Sequence, residues 1–125
     1  MNIELCSWDD IYWIPESYKT EHALFNKRTK METWFKAVDG KNILGIGCLL
    51  HLNKTTVRHS NDFVIPDYRG NGIIKSIVLE RENWARNNGF IKADVRTVKK
   101  YYEPLGYKPI KEYKVGGFWY VKDLR

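Results

Sequence analysis

The sequence has little of what marks several large classes of protein. Only two cysteines occur among its 125 residues, Cys6 and Cys48, and both lie in apolar runs typical of buried strands in a reducing compartment. The three histidines are far apart and lack paired partners, so we predict no metal site. No apolar run approaches the roughly 20 residues of a membrane-spanning helix, and the N-terminus lacks the pattern of a signal peptide. We therefore expect a cytoplasmic protein without a membrane partner.

The amino-acid composition favours one folded domain over residues 1–125. Hydrophobic residues make up 43% of the chain and aromatic residues 14%, which is ample for a packed core and argues against disorder. The formal net charge of +6 favours a polyanionic partner, either a cofactor with phosphates or a nucleic acid. Net charge alone does not distinguish these two partners.

The first half of the chain has the pattern of an antiparallel meander. Apolar runs predict strands, and a polar and aromatic segment between the first two strands predicts a largely helical region over 11–28. The pair Asp39-Gly40 marks a hairpin turn. The predicted strands span residues 3–6, 33–38, 43–52 and 55–65.

The second half alternates helices and strands. Apolar residues at helical spacing predict a helix over 73–87, which Asn87-Asn88-Gly89 ends. The next strand, 90–96, is expected to run parallel to the strand that ends at Ile65, because a helix connects the two. Residues 98–105 are predicted as a short helix, and 107–113 and 118–122 as a final hairpin. Together these elements predict an α+β fold: a mixed, mostly antiparallel sheet with a central parallel strand pair and flanking helices.

The most informative stretch runs from Phe63 to Lys75. The apolar run Phe63-Val64-Ile65 predicts the end of a strand, Pro66 stops it, and Arg69-Gly70-Asn71-Gly72 forms a turn before the helix. Unpaired N–H groups and the helix dipole make such a helix start a binding site for anions, and glycines let the backbone approach a phosphate closely. Arg69 and Lys75 add positive charge. An ordinary turn with glycines is the alternative interpretation.

This stretch resembles the acetyl-CoA signature of the GNAT N-acetyltransferase superfamily, Q/R-x-x-G-x-G/A after a strand that ends V-x-P. Arg69 and Gly72 match the signature, whereas Ile74 stands where the family has Gly or Ala. The resemblance implies acetyl-CoA as cosubstrate, with its pantetheine arm between two parallel strands that splay apart. The cofactor-binding residues that it implies are Phe63, Val64, Arg69, Gly70, Asn71, Gly72, Ile73, Ile74 and Lys75.

A second stretch, residues 102–107, is similar to the Tyr-Glu-x-x-Gly-Phe motif near the C-terminus of the same family. The resemblance implies that Tyr102 is the general acid toward the departing CoA thiolate, and a phenol suits that transfer. The alternative is a packed aromatic, which is what we expect of Tyr101 and Tyr107. The chain departs from the family in having Thr97-Val98 where an Asn is usual, and in a segment before Tyr102 that is about one helical turn shorter.

Two carboxylates are candidates for the base that takes a proton from the attacking amine. Asp94 lies on the predicted strand after the main helix, where some members of the family carry an acidic base. Asp62, on the preceding strand, is the second candidate. The alternative for both is a solvated carboxylate or an ion pair with Arg96 or Arg58.

The predicted function is an acetyl-CoA-dependent N-acetyltransferase that moves an acetyl group to an unidentified amine acceptor. Two alternatives draw on the net charge of +6 and the tryptophans. One is a DNA-directed modification protein similar to phage Mom-type proteins, and the other is a non-catalytic nucleic-acid-binding module on the same fold. The aromatic strand 118–121 is expected near a sheet edge, where it would allow a homodimer.

Overall fold

A seven-stranded sheet organises the chain, for which the computed structural model describes residues 1–18 and 31–125. Two short helices follow the first strand; the first largely precedes the segment 11–28 that was predicted as helical, the second lies at its start, and residues 19–28 lie outside the described part. These helices are α1 (Trp8–Ile11) and α2 (Trp13–Ser17). The first four strands form the predicted antiparallel meander: β1 (Asn2–Cys6), β2 (Glu32–Asp39), β3 (Asn42–His51) and β4 (Thr56–Val64).

A long helix separates this meander from the last three strands. After β4 the chain passes through a 3₁₀ turn (Pro66–Tyr68) into α3 (Ile73–Asn87), which has the predicted bounds. Then follow β5 (Lys92–Thr97), a second 3₁₀ turn (Glu103–Leu105), β6 (Lys108–Glu112) and β7 (Phe118–Asp123). The strand order is β1-β2-β3-β4-β5-β7-β6. Within the described residues, no helix is long and apolar enough to cross a bilayer.

The parallel pair at the centre of the sheet is short. β4 and β5 pair at Thr56 with Lys92, at Val57 with Ala93 and at Arg58 with Asp94, and the rest of β4 has no partner on β5. The two strands therefore separate toward the end of β4 that leads into the glycine turn. This arrangement confirms the predicted α+β fold with its central parallel pair, and it opens a gap in the sheet below the start of α3.

A β-bulge in β4 decides which side chains face α3. Ile46 of β3 pairs with Phe63, but Cys48 pairs with Ser60, so Gly47 opposes both Asn61 and Asp62. Asn61 takes up the extra residue at φ 58°, in the left-handed region. The bulge shifts the alternation of the strand by one residue. As a result Asp62 points toward α3, whereas Phe63 packs on the opposite face of the sheet.

The core has two layers, one on each face of the sheet. The larger cluster lies between the sheet and α3, where Ile73, Ile77, Val78 and Ala85 are buried and Ile74 and Trp84 are partly buried, as the helical spacing predicts. The smaller cluster covers the other face beneath α1 and α2. The same inward face of α3 also carries two buried charged residues, Arg81 and Glu82, which the prediction did not include.

One prediction about the C-terminal part is wrong. Residues 98–105 do not form a helix; only the 3₁₀ turn Glu103–Leu105 is present, because Pro104 lacks an N–H and disfavours helical backbone at the residue before it. The aromatic strand β7 lies near the edge, as expected, but it is the second strand from it. It pairs with β5 on one side and β6 on the other, so its backbone is not available to a second copy. The edge strand at this end of the sheet is β6.

Candidate active site

Two cavities meet in the gap between β4 and β5. The first, of about 390 Å³, runs along the end of β4 to the turn before α3. The second, of about 570 Å³, lies between β4, β5 and the turn that joins β6 to β7. Asp62, Lys99 and Tyr101 line both cavities. The fold thus provides two chambers that share one wall, an arrangement that allows two molecules to meet.

The first cavity ends on the start of α3, which no side chain in the described part of the chain caps. Gly72, at φ 76°, is the N-cap residue, and the first turn holds no acidic residue. The N–H of Ser76 is the first to donate to a helical carbonyl, that of Gly72, so the preceding helical N–H groups point out of the helix end. By contrast, Ser7 and Asp10 form a complete capping box at the start of α1. The start of α3 is therefore suited to an external anion.

The turn before α3 is fixed by its own side chains. Asn71 Nδ2 donates to the carbonyl oxygens of Tyr68 at 3.0 Å and Arg69 at 3.3 Å. Arg69 Nε donates to the carbonyl oxygen of Val64 at 2.9 Å, and the guanidinium carbon lies 5.5 Å from the ring centroid of Phe63. These bonds tie the turn to the end of β4, so the glycine backbone is held in one arrangement beside the cavity.

The structure brings most of the predicted cofactor-binding residues together. Ile74 packs partly against the core, which directs its side chain toward the sheet. Asn71 and Lys75 lie outside the lining and are exposed. The predicted residues that line the first cavity are Phe63, Val64, Arg69, Gly70, Gly72, Ile73 and Ile74.

Asp62 stands where the two cavities meet, and three side chains hold it. Arg81 Nη1 lies 2.7 Å from Asp62 Oδ1. The hydroxyls of Tyr101, at 3.1 Å, and of Tyr102 both donate to Asp62 Oδ2. Arg81 Nη2 also donates to the Tyr102 hydroxyl oxygen at 3.3 Å. The result is a closed polar cluster of one carboxylate, one guanidinium and two phenols.

Arg81 is fully buried, and a glycine makes room for it. Its side chain is 0% exposed, whereas Asp62 is 10% exposed. A Cβ on Gly47 would lie 2.5 Å from Arg81 Nη1, so a larger residue at this position of β3 would displace the guanidinium. Arg81 Nη1 also donates to the carbonyl oxygen of Cys48 at 3.1 Å. The bulge, the glycine and the inward face of α3 together place the ion pair.

The two tyrosines differ in how far they reach into the cavities. Tyr102 is 1% exposed, while Tyr101 is 37% exposed and lines both cavities. Burial, and then the negative charge of Asp62, raises the pKa of both phenols well above the usual value. Both are therefore neutral proton donors at neutral pH. The expectation that Tyr101 is only a packed aromatic is wrong.

A second polar cluster lies deeper, under α3. The Tyr107 hydroxyl donates to Glu82 Oε2 at 2.7 Å, and Lys122 Nζ lies 3.0 Å from Glu82 Oε1. His59 Nε2 lies 2.5 Å from the Tyr107 oxygen; because that hydroxyl proton goes to Glu82, His59 must donate. Burial, and then the charges of Arg81 and Lys122, lowers the pKa of His59 well below 6.5. His59 is thus a neutral structural histidine.

Asp94 is engaged on the opposite face of the sheet. Arg58 Nε and Nη2 donate to its two oxygens at 2.8 and 2.9 Å, and Trp119 Nε1 donates to Oδ2 at 3.0 Å. Asp94 lines neither cavity. The ion pair joins β4 to β5 at their last paired position, which is one of the alternatives weighed from the sequence.

Sequence reasoning missed Arg81, Glu82 and the accessible Tyr101. A signal for the first two was present, because positions 77, 81 and 85, and 78 and 82, share one face of a helix. Charged residues on a core-facing stripe indicate buried ion pairs. Among the described residues, no group of three or more His, Cys, Asp or Glu side chains is placed to hold a metal ion.

Comparison with known proteins extends this picture. The family model described as "Acetyltransferase (GNAT) family" matches residues 2–107. The chain is 25% identical over 105 residues to "Uncharacterized N-acetyltransferase YobR" of Bacillus subtilis (strain 168), a match that covers 79% of this chain and 42% of that protein. The chain thus spans less than half the length of this relative.

Solved structures share the fold at low sequence identity. The PaiA N-acetyltransferase from Thermoplasma acidophilum, in complex with coenzyme A, has a TM-score of 0.75 at 16% identity, covering 98% of this chain and 99% of its own. The aminoglycoside 6'-N-acetyltransferase from Enterococcus faecium has a TM-score of 0.75 at 16% identity, covering 100% of this chain and 98% of its own. With the family match over most of its length, the chain belongs to the acetyltransferase (GNAT) family.

Proposed function

We propose that this chain is an acetyl-CoA-dependent N-acetyltransferase that transfers an acetyl group to an amine. The observation that carries the proposal is the meeting of two cavities between β4 and β5, one of which ends on the uncapped, glycine-rich start of α3. Family membership and the coenzyme A complex of the PaiA relative support it. The same membership favours it over the DNA-directed alternative.

Acetyl-CoA occupies the first cavity in this proposal. Its phosphates accept hydrogen bonds from backbone N–H groups between Gly70 and Lys75, since these are free of a protein cap. Its pantetheine arm lies along Phe63 and Val64, where β4 has no neighbour on the β5 side. The thioester then lies near Asp62 and Tyr101, where the second cavity begins. The amine approaches through that second cavity.

The Asp62–Tyr102 pair moves the proton in this proposal. As the amine nitrogen bonds to the thioester carbon and the C–S bond breaks, Asp62 takes a proton from the amine and Tyr102 gives one to the sulfur. The proton on Asp62 then returns to Tyr102 through their hydrogen bond, so the pair is restored. Arg81, 3.3 Å from the Tyr102 oxygen, stabilises the phenolate while it lasts.

Asp94 has a positioning role in the proposal rather than that of the base. Both of its oxygens accept hydrogen bonds from Arg58, and it lies on the face of the sheet away from Asp62. A base must reach the proton that it takes. Asp94 instead fixes the point at which the two strands separate, and so sets the width of the gap.

A reducing compartment, such as the cytoplasm, is the proposed location. Neither Cys6 nor Cys48 takes part in a disulfide. They flank Trp34 on two successive strand pairs, which puts them about 10 Å apart at the usual strand spacing, too far for a disulfide. Burial raises the pKa of the Cys6 thiol to about 12, so it is unreactive.

Amine-dependent release of the CoA thiol from acetyl-CoA tests the proposal. The wild type is incubated with acetyl-CoA and a panel of neutral, cationic and anionic primary amines, and the acetylated amine is identified by mass. We expect thiol release above the amine-free rate with at least one class. Acetyl-CoA binding without release by any amine would contradict the proposed activity, and failure to bind acetyl-CoA would contradict the proposed cofactor site.

A further inference from the structure

The second cavity carries an excess of positive charge. Its charged lining residues are Arg58, Asp62, Arg96 and Lys99. Arg58 is paired with Asp94, and Asp62 is paired with Arg81, so these charges are balanced within the protein. Among the described residues, no acidic group lies within ion-pair distance of Arg96 or Lys99. The cavity into which the proposed acceptor binds therefore presents two unbalanced cations.

Arg96 is held in place without being neutralised. Its guanidinium carbon lies 5.2 Å from the ring centroid of Trp119, a cation–π contact. Trp119 in turn is fixed by the hydrogen bond from its Nε1 to Asp94. The stacked ring restricts the guanidinium, so less conformational entropy is lost when it binds a ligand. Its N–H groups remain available because an aromatic face accepts no conventional hydrogen bond from them.

The position of Arg96 separates it from the proposed cofactor site. Lys99 lines both cavities and is within reach of either ligand, but Arg96 lines only the second. The glycine turn that receives the cofactor phosphates lies at the far end of the first cavity. Arg96 is thus available to the other reactant, in a chamber whose wall also contains the hydroxyl groups of Ser60 and Thr97.

We infer that the acceptor is a small primary amine that also carries a carboxylate or phosphate group, and that Arg96 binds this anion while the amine lies at Asp62. The inference rests on the proposed function. A planar guanidinium donates paired hydrogen bonds to either kind of anion. The volume of about 570 Å³ suits a small molecule. A nucleic acid would instead follow an extended basic surface.

A matched set of amines tests the inference. The kcat/KM for thiol release from acetyl-CoA is measured with phosphoethanolamine and β-alanine as anionic acceptors, ethanolamine as the neutral one and putrescine as the cationic one. We expect at least one anionic amine to exceed ethanolamine and putrescine about tenfold or more, because hydrogen bonds between charged groups are stronger than those between neutral groups. The preferred anionic amine distinguishes a carboxylate from a phosphate acceptor.

Two variants test whether Arg96 is the residue that causes the preference for anionic amines. Arg96→Gln is expected to lower kcat/KM for the preferred anionic amine about tenfold, to leave the rate with ethanolamine unchanged, and to leave acetyl-CoA affinity in calorimetry unchanged. Lys41→Gln, which removes one positive charge at the exposed turn between β2 and β3, is the control and should change none of these.

Three outcomes would overturn the inference while leaving the proposed function in place. They are equal rates with ethanolamine and the anionic amines, a preference for putrescine, and an unchanged anionic preference in Arg96→Gln. Salt-dependent binding of an oligonucleotide that is lost in Arg96→Gln would assign this surface to nucleic acid instead. Failure of the wild type to bind acetyl-CoA would overturn the proposed function itself and is measured separately.

Discussion

Both carboxylate oxygens of Asp62 are held by neighbouring side chains, and these contacts specify the proposed chemistry residue by residue. Arg81 fixes one of its oxygens and two tyrosines share the other. Only Tyr102 also receives a hydrogen bond from Arg81. A phenolate formed at Tyr102 would therefore accept a hydrogen bond from a buried cation, whereas one formed at Tyr101 would lack that hydrogen bond. This difference favours Tyr102 over the adjacent Tyr101 as the proton donor in the proposed reaction.

Removal of each hydroxyl in turn tests that assignment. Tyr102→Phe is expected to lower kcat about 100-fold or more, because proton donation to the leaving thiolate is lost, while the Kd for acetyl-CoA stays unchanged. Tyr101→Phe, the matched control in the same cluster, is expected to lower kcat less than about tenfold. A larger loss of kcat in Tyr101→Phe than in Tyr102→Phe would transfer the acid role to Tyr101.

His59 gives a prediction for stability against pH. The folded protein holds it neutral with a lowered pKa, whereas in the unfolded chain it protonates near 6.5. Below that pH the unfolded state binds an extra proton, so the free energy of unfolding falls as the pH falls; above it, His59 contributes no pH dependence. The slope from one such group approaches about 1.4 kcal/mol per pH unit.

The measurement is urea unfolding at pH 7.5 and 5.5 for the wild type and for His59→Gln. The wild type should lose about 1 kcal/mol more than the variant between these two conditions. His51→Gln is the comparison, because burial lowers the pKa of His51 as well and the partly exposed ring should contribute less. An equal loss in wild type and His59→Gln would show that His59 takes up a proton in the folded state.

Among the elements, α3 contributes to two parts of the proposed site. Its start is left without a cap beside the first cavity, and its middle inserts Arg81 and Glu82 into the core. Buried charges are costly unless they are paired. Arg81 of α3 is paired with the Asp62 carboxylate on β4, and Glu82 is paired with the Lys122 ammonium on β7. The helix therefore couples the position of the proposed catalytic pair to the packing of the core.

Loss of the ion pair between Arg81 and Asp62 is expected to destabilise the protein. Arg81→Met leaves Asp62 without its ion-pair partner in a site where it is only 10% exposed, and about 3–5 kcal/mol of unfolding free energy should be lost in urea denaturation. Lys75→Met, at an exposed position of the same helix, is the control and should change stability by less than about 0.5 kcal/mol. Addition of Asp62→Leu to Arg81→Met should recover part of the loss; no recovery would mean that the two charges are not coupled.

The elements that sequence predicted well are those set by local pattern. Helix 73–87 follows from apolar spacing and from glycines at both ends, and the meander follows from apolar runs with an Asp-Gly turn. The failed helix over 98–105 reflects competing local chemistry, because Pro104 interrupts it. The exact place of β7, between β5 and β6 and one strand from the edge, depends on strand pairings that no local pattern records.

The candidate site shows the same division between local and non-local information. The cofactor-binding stretch is contiguous in sequence, so most of it was predictable and lines one cavity. The Asp62 cluster draws on β4, α3 and the segment after β5, and it depends on a bulge at Asn61 that changes which residues face inward. Asp94 ranked above Asp62 from the family resemblance alone, whereas of these two carboxylates only Asp62 lines the two cavities.

At the scale of the whole molecule, the gap between the two parallel strands is the feature on which the account depends. The ion pair between Arg58 and Asp94 marks where the strands separate, and the glycine turn and the β6–β7 turn close the two ends of the gap. In the proposed function, a cofactor on one side and an acceptor on the other meet at Asp62. The central claim is accordingly that acetyl-CoA binds at the start of α3.

Calorimetric titration of acetyl-CoA into the wild type, Gly72→Glu and Gly89→Glu tests that claim most directly. Gly72 and Gly89 lie at opposite ends of α3, both at positive φ (76° and 86°), and a Cβ at either meets no atom within 4 Å, so the two variants carry the same backbone strain and the same added charge. We predict that the wild type and Gly89→Glu bind acetyl-CoA with similar Kd and that Gly72→Glu binds at least about tenfold more weakly. Equal affinities in all three proteins, or no binding by the wild type, would contradict the account.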